Sequence, residues 1–136
     1  MIAVIFEVLP FMGERHTYLD LAGELRGELE KIDGFISIER FESLTNRGKL
    51  LSLSFWRDEE AVKEWRNLEA HRAAQHAGRN GVFADYRLRI GHIVRDYGMK
   101  EREQAPDDSR AVHDHAAITP QSRQRLSRWT SRVGNL

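Results

Sequence analysis

The chain has 136 residues, which fits one domain with an appendage; at 40% hydrophobic and 31% charged residues it can build a core and stay soluble. Its 21 basic and 21 acidic side chains cancel, so no overall charge bias points to nucleic acid or a membrane surface, and the lack of cysteine excludes disulfides, thiolate metal sites and a cysteine nucleophile. No apolar run approaches the roughly 20 residues needed to span a bilayer, and Met1 to Glu7 has neither a basic leader nor a small-residue cleavage site, so a soluble cytoplasmic protein is expected.

Ile2 to Leu9 is a β-branched-rich run closed by Pro10 and Gly13, which reads as a strand. From about Glu14 the period changes: Tyr18, Leu21, Ala22, Leu25, Leu29 and Ile32 recur at helical spacing, and Asp33-Gly34 stops the helix. Phe35–Leu44 and Lys49–Trp56 are two further strands, joined by Thr45-Asn46-Arg47-Gly48, a connection suited to a hairpin turn with positive φ. Asp58 can cap a helix whose buried stripe is Ala61, Val62, Trp65 and Leu68, and helix resumes through Glu69–Ala77 to end at Gly78. Val82 to Tyr97 reads as a long last strand.

The order β-α-β-β-α-β is the ferredoxin-like α+β arrangement with a four-stranded antiparallel sheet, expected over residues 1–98. Two helices cover only one face of such a sheet. Yet strand one carries Ile2, Val4, Phe6 and Val8 on one side and Ala3, Ile5 and Leu9 on the other, while strand three sets Leu51, Leu53 and Phe55 against Leu50 and Trp56. Burying apolar area contributes about 25 cal/mol per Å², so a cover for the second face is expected; a second copy of the chain, forming a homodimer, is the simplest. The alternative cover is the C-terminal tail.

Residues 99–118 read as a polar linker without apolar periodicity. Over 119–136 the signal returns: Thr119 and Pro120 suit a helix start, and Leu126, Trp129, Val133 and Leu136 recur at steps of three and four among Arg123, Arg125, Arg128 and Arg132. This basic amphipathic helix is expected to dock on the domain or its dimer. Four arginines with no aromatic ladder do not argue for nucleic acid, and no membrane partner is expected.

No phosphate loop, dinucleotide fingerprint or nucleophile elbow is present. His71 and His76 are five residues apart, not the four that share a helical face, and no third ligand stands out, so no metal is expected. What remains is an aromatic and imidazole cluster. Trp56 ends strand three, Trp65 lies on the next helix, His71 and His76 follow, and His92 lies on the last strand. Such a grouping fits a pocket with apolar walls and a few polar groups, and it equally fits core tryptophans beside surface histidines.

Phe35 to Phe41 after Asp33-Gly34, then Leu53 to Val62 and Trp65-Arg66-Asn67, resemble the antibiotic biosynthesis monooxygenase domain family. His71-Arg72-Ala73-Ala74-Gln75, Gly78-Arg79 and Asp85 to Arg89 continue the likeness, which spans residues 1 to about 98. The resemblance implies a ferredoxin-like subunit paired sheet to sheet in a dimeric α+β barrel, with a pocket between sheet and helices. Some members oxygenate polycyclic phenols or quinols without metal or flavin. Others bind and degrade haem through a helix histidine, helped by a tryptophan and a first-strand asparagine. Here the position ten residues after Trp65 is Gln75 and the first strand has Phe6-Glu7, so haem is disfavoured and no cofactor is expected.

The expected activity is a cofactor-independent monooxygenase acting on a small aromatic phenol or quinol. His71 is the expected base, Trp65 the catalytic-pocket aromatic, with Trp56, His76, His92, Arg87 and Arg89 as substrate-binding candidates. The rivals are a haem- or small-molecule-binding, stress-related module without catalysis and a purely structural dimerisation domain. The last of these requires the space between sheet and helices to be filled by side chains.

Overall fold

The computed structural model describes residues 1–114. Its elements are β1 (Ile2–Pro10), α1 (Arg15–Leu29), β2 (Phe35–Glu42), β3 (Leu50–Trp56), α2 (Glu59–Asn67), α3 (Glu69–Ala77), β4 (Phe83–His92) and α4 (Asp107–His113). The four strands are antiparallel in the order β2-β3-β1-β4, the ferredoxin-like topology expected from the element order. The chain divides into two units, Met1–Ile93 and a second beginning at Val94. β4 stops at His92 rather than Tyr97 because its only strand neighbour among the described residues is β1, and β1's first paired residue, Ile2, lies opposite His92.

Local chemistry accounts for the boundaries. Asp58 is extended, and its carboxylate accepts the Ala61 N–H at 2.9 Å, the expected cap of α2, worth about 1 kcal/mol. Gly34 has φ +93°, and a Cβ there would lie 2.8 Å from the Ala61 Cβ, so the turn into β2 packs against α2 only with glycine. Gly48, at φ +87°, makes the β2–β3 turn.

The helices of the first unit pack on one sheet face, in two separate buried clusters. One gathers Ile2, Leu29, Ile32, Trp56, Ala61 and Val62, with Trp65 against it. The other gathers Val8, Tyr18, Leu50 and Val82, with Phe6, Phe83 and Tyr86 against it. Two β-bulges set which residues face them. Phe35 and Ser37 oppose the adjacent Trp56 and Phe55, so Ile36 is extra; Asp85 and Phe83 oppose the adjacent Leu9 and Pro10, so Ala84 is extra. Each bulge lets residues of opposite parity share the helix side: Phe35 with Ile38 on β2, and Phe83 with Tyr86 on β4.

The opposite face carries half-buried Ile5, Leu51, Leu53 and Phe55, with Glu7 ion-paired to Lys49 (3.1 Å) and Arg89 (3.3 Å). In the second unit, α4 occupies part of the segment read as a linker. Asp107 and Asp108 favour its N-terminus, and Asp114 pairs with Arg102 (2.9 Å) and Arg110 (3.4 Å). A short helix held by polar contacts leaves no apolar period to read. The expected basic helix over 119–136 lies outside the described residues. No described helix is long and apolar enough to cross a membrane.

Candidate functional site

The two core clusters leave a cavity of about 180 Å³ between sheet and helices. Its origin is visible in β3, whose helix-facing side reads Leu50, Ser52, Ser54, Trp56. Register extends these positions into cross-strand rows. Arg40, Ser52, Phe6 and Leu88 form one; Ile38, Ser54, Val4 and Ile90 form the next. Large residues at 50 and 56 fill both ends of the core, and two serines at its centre leave the middle open. The space is therefore not filled by side chains, as a purely structural dimerisation domain would require.

One end of the cavity is aromatic and imidazole in character. The Trp65 and His71 rings meet edge to face with centroids 4.3 Å apart, on α2 and α3. His71 is half-buried, burial pushes its imidazole below the usual histidine value, and its Nδ1 is buried with no partner among the described residues. Such a ring is neutral at neutral pH and has hydrogen-bonding capacity to spare. Ala74 and Gln75 follow His71 on the same helical face and also line the cavity. At the other end, Tyr18, Phe6, Phe83 and Tyr86 pack together with centroids 5.6 to 6.0 Å apart. There Arg79 donates to the Tyr86 hydroxyl at 2.7 and 3.1 Å. Leu88 and Ile90, on edge strand β4, are each 46% exposed and mark an opening.

The structure brings His71 and Trp65 together on the cavity wall and leaves the other candidates elsewhere. Trp56 is fully buried behind Trp65, its ring centroid 6.3 Å away, with its indole N–H donated to the Ser54 hydroxyl at 2.9 Å. His76 is exposed; the Asn80 amide donates to its carbonyl oxygen at 2.8 Å and lies 3.2 Å from its Nε2. His92 is exposed at the strand end, opposite Ile2. Arg87 and Arg89 lie opposite Glu7 and Ile5, on the sheet face away from the cavity, because alternation along β4 sends every second residue there.

The polar lining includes residues that are not candidates from the sequence, among them Tyr18, Arg40, Ser52, Ser54 and Arg79. The serines had a signal, since polar residues at two successive core-facing positions of a central strand break the apolar alternation. Tyr18 reads as part of the apolar stripe of α1, where its hydroxyl gives no signal of its own.

Ten positions after Trp65, Gln75 lines the cavity, an amide in place of an imidazole, and the β1 residues at the wall are Val4 and Phe6. This set does not fit haem ligation by the pattern the resemblance describes. Among the described residues, no group of three or more His, Asp or Glu side chains is placed to hold a metal ion.

Comparison with known proteins gives consistent matches. The family model described as antibiotic biosynthesis monooxygenase matches residues 1–77. A jasmonate monooxygenase of Pyricularia oryzae is 46% identical over 121 residues, covering 87% of this chain and 55% of the relative. The chain thus spans little more than half the length of that relative. Among solved structures, Rv0793 from Mycobacterium tuberculosis superposes with a TM-score of 0.64 at 18% identity, covering 71% of this chain and 98% of its own. A structure described as an antibiotic biosynthesis monooxygenase superposes with a TM-score of 0.61 at 16% identity, covering 69% and 99% respectively.

Proposed function

The chain belongs to the antibiotic biosynthesis monooxygenase family, and from that premise we propose that it is a monooxygenase oxidising a small aromatic phenol or quinol in the cavity between sheet and helices. The observation that carries this reading is the pairing of His71 with Trp65 on the wall of an otherwise largely apolar cavity. An engineered cavity of about 150 Å³ takes up benzene, so this one has room for a substituted ring, with further space where it opens at Leu88 and Ile90.

The chemistry follows from the state of His71. Burial keeps its imidazole neutral, so it can take the proton of a phenol or of the acidic CH₂ in the keto form. The resulting anion surrenders an electron to oxygen more readily than the neutral molecule does. A ring CH₂ and O₂ then become C=O and H₂O: one oxygen atom stays on carbon, and the other leaves as water with both hydrogens. All the electrons come from the substrate, so neither metal nor flavin is required. Trp65 forms the wall against which the ring lies. An organic acid of the jasmonate kind is a second reading, favoured by the 46% identity to the Pyricularia oryzae enzyme.

We also propose that two copies pair through the sheet face bearing Ile5, Leu51, Leu53 and Phe55, which none of the helices of the first unit covers. The activity test is oxygen uptake by metal-free protein with hydroxynaphthalenes, anthrones and jasmonate. Protein-dependent uptake that falls at least about a hundredfold in His71→Ala is expected, as for loss of a general base. No uptake across the panel, or equal uptake in the variant, refutes the assignment.

A further inference from the structure

Among the described residues, the charged side chains that line the cavity are of one sign: Arg40, Arg66 and Arg79, with no aspartate or glutamate. Arg66 and Arg79 are exposed, and Arg79 is engaged with Tyr86. Arg40 differs from both. It stands on the helix side of β2, opposite Ser52, and its Nε is buried with no hydrogen-bond partner among the described residues. The ion pairs among those residues do not include it; nearby Glu42 is taken by Arg15 at 2.8 Å.

A partly buried guanidinium without a counter-ion is unfavourable, and an orphaned N–H adds to the cost. Its surroundings are prepared for an anion. Tyr18 lines the same cavity as Arg40, close enough for the guanidinium charge to act on its hydroxyl. Tyr18 is only 5% exposed; burial raises its pKa while Arg40 pulls the other way, so it remains a phenol that can donate. Ser52, 8% exposed, adds a hydroxyl from the neighbouring strand.

We propose that the Arg40–Tyr18 end of the cavity is an anion subsite that holds a carboxylate carried by the substrate and presents the substrate's ring to Trp65 and His71. The two ends are distinct in the fold: Tyr18 belongs to the cluster around Val8 and Leu50, Trp65 to the cluster around Ile2 and Trp56. A guanidinium edge offers two parallel N–H donors, which match the two oxygens of a carboxylate better than the single oxygen of a phenolate. The exposed Arg66 and Arg79 add a field that draws anions towards the same cavity. This inference rests on the proposed function for the identity of the site, and it deepens that reading by naming a substrate feature and the residue that selects it.

Calorimetric titration of the full chain with acid and ester pairs tests the subsite without requiring turnover. The probes are jasmonate with its methyl ester, and 3-hydroxy-2-naphthoate with its methyl ester. The wild type is expected to bind at least one acid about tenfold or more tighter than its ester, the range of a charge-assisted pair. Arg40→Gln should bring acid affinity down to that of the ester and leave ester affinity unchanged. Arg40→Lys, which keeps the charge and loses the fork, should retain part of the preference. Equal binding of acid and ester by the wild type, no binding of any probe, or an acid preference that survives Arg40→Gln overturns the proposal. So does an equal loss of acid and ester binding in that variant. Acid preference without oxygen uptake defeats the monooxygenase reading and leaves the subsite standing; uptake without acid preference does the reverse.

Discussion

Ser54 faces the cavity, and its hydroxyl oxygen accepts the indole N–H of Trp56 at 2.9 Å. Trp56 is 0% exposed, so its indole N–H has no contact with bulk solvent. Ser54→Ala deletes one atom and little apolar contact, and the dominant cost is an indole N–H left unpaired in the core, about 1–3 kcal/mol. Trp56→Phe removes the donor at a separate packing cost, and in that background Ser54→Ala should be nearly neutral. The coupling energy of the cycle isolates the hydrogen bond and should come out at about 1–2 kcal/mol. Urea unfolding of the four proteins measures it. With a slope of about 1–3 kcal/mol per molar, Ser54→Ala alone should lower the midpoint by roughly 1 M without altering the slope. The same cost in both backgrounds, or no midpoint shift in the single variant, refutes the claim that this serine is held in the core by Trp56.

Gly34→Ala should destabilise by more than about 1 kcal/mol in the same unfolding assay, because φ is +93° and the new Cβ would meet Ala61 at 2.8 Å. Ser52→Leu fills the cavity from its floor and should raise the unfolding midpoint while abolishing binding of either probe pair in calorimetry. Burial holds His71 below its ordinary value of 6.5, so the unfolded chain takes up the proton first as the pH falls. Stability is therefore full above 6.5 and declines as the pH drops through it towards the lowered folded value; oxygen uptake should fall in the window of that lowered value, and His71→Gln should remove both dependences. Leu53→Glu places a charge on the apolar outer face and should convert a dimer to monomers in sedimentation equilibrium; a wild type that is monomeric at the outset removes the pairing proposal.

The parts of the fold that were legible are those where one period dominates. Ile2, Val4, Phe6 and Val8 against Ala3, Ile5 and Leu9 identify β1 and both of its faces, and the run from Tyr18 to Leu29 identifies α1. Asp58 was readable as a cap because its mechanism is local: one carboxylate reaches one N–H three residues on. The end of β4 was not readable. It depends on where β1 begins, at Ile2, about 90 residues earlier in the chain, and residues after His92 stay β-compatible in sequence although the ladder with β1 ends at the Ile2–His92 pair.

The site was half legible for a related reason. Trp65 and His71 stand out because large aromatic and imidazole groups are rare and lie on one helical stretch. Arg40 does not, because counting by twos from Phe35 places Ser37, Glu39 and Phe41 with the apolar residue and sends Arg40 to the opposite face. The bulge at Ile36 breaks that count, so Phe35 enters the core while Ile38 and Arg40 also face the helices. A bulge is a property of two strands together, since it exists only where two residues oppose one. The same holds on β4, where the extra residue Ala84 brings Phe83 and Tyr86 to one side, while strict alternation beyond it carries Arg87 and Arg89 to the other. Both edge strands thus re-aim their side chains towards the cavity at a point where pairing slips by one residue. On β2 that slip turns a surface-type residue into the partly buried guanidinium on which the anion subsite rests.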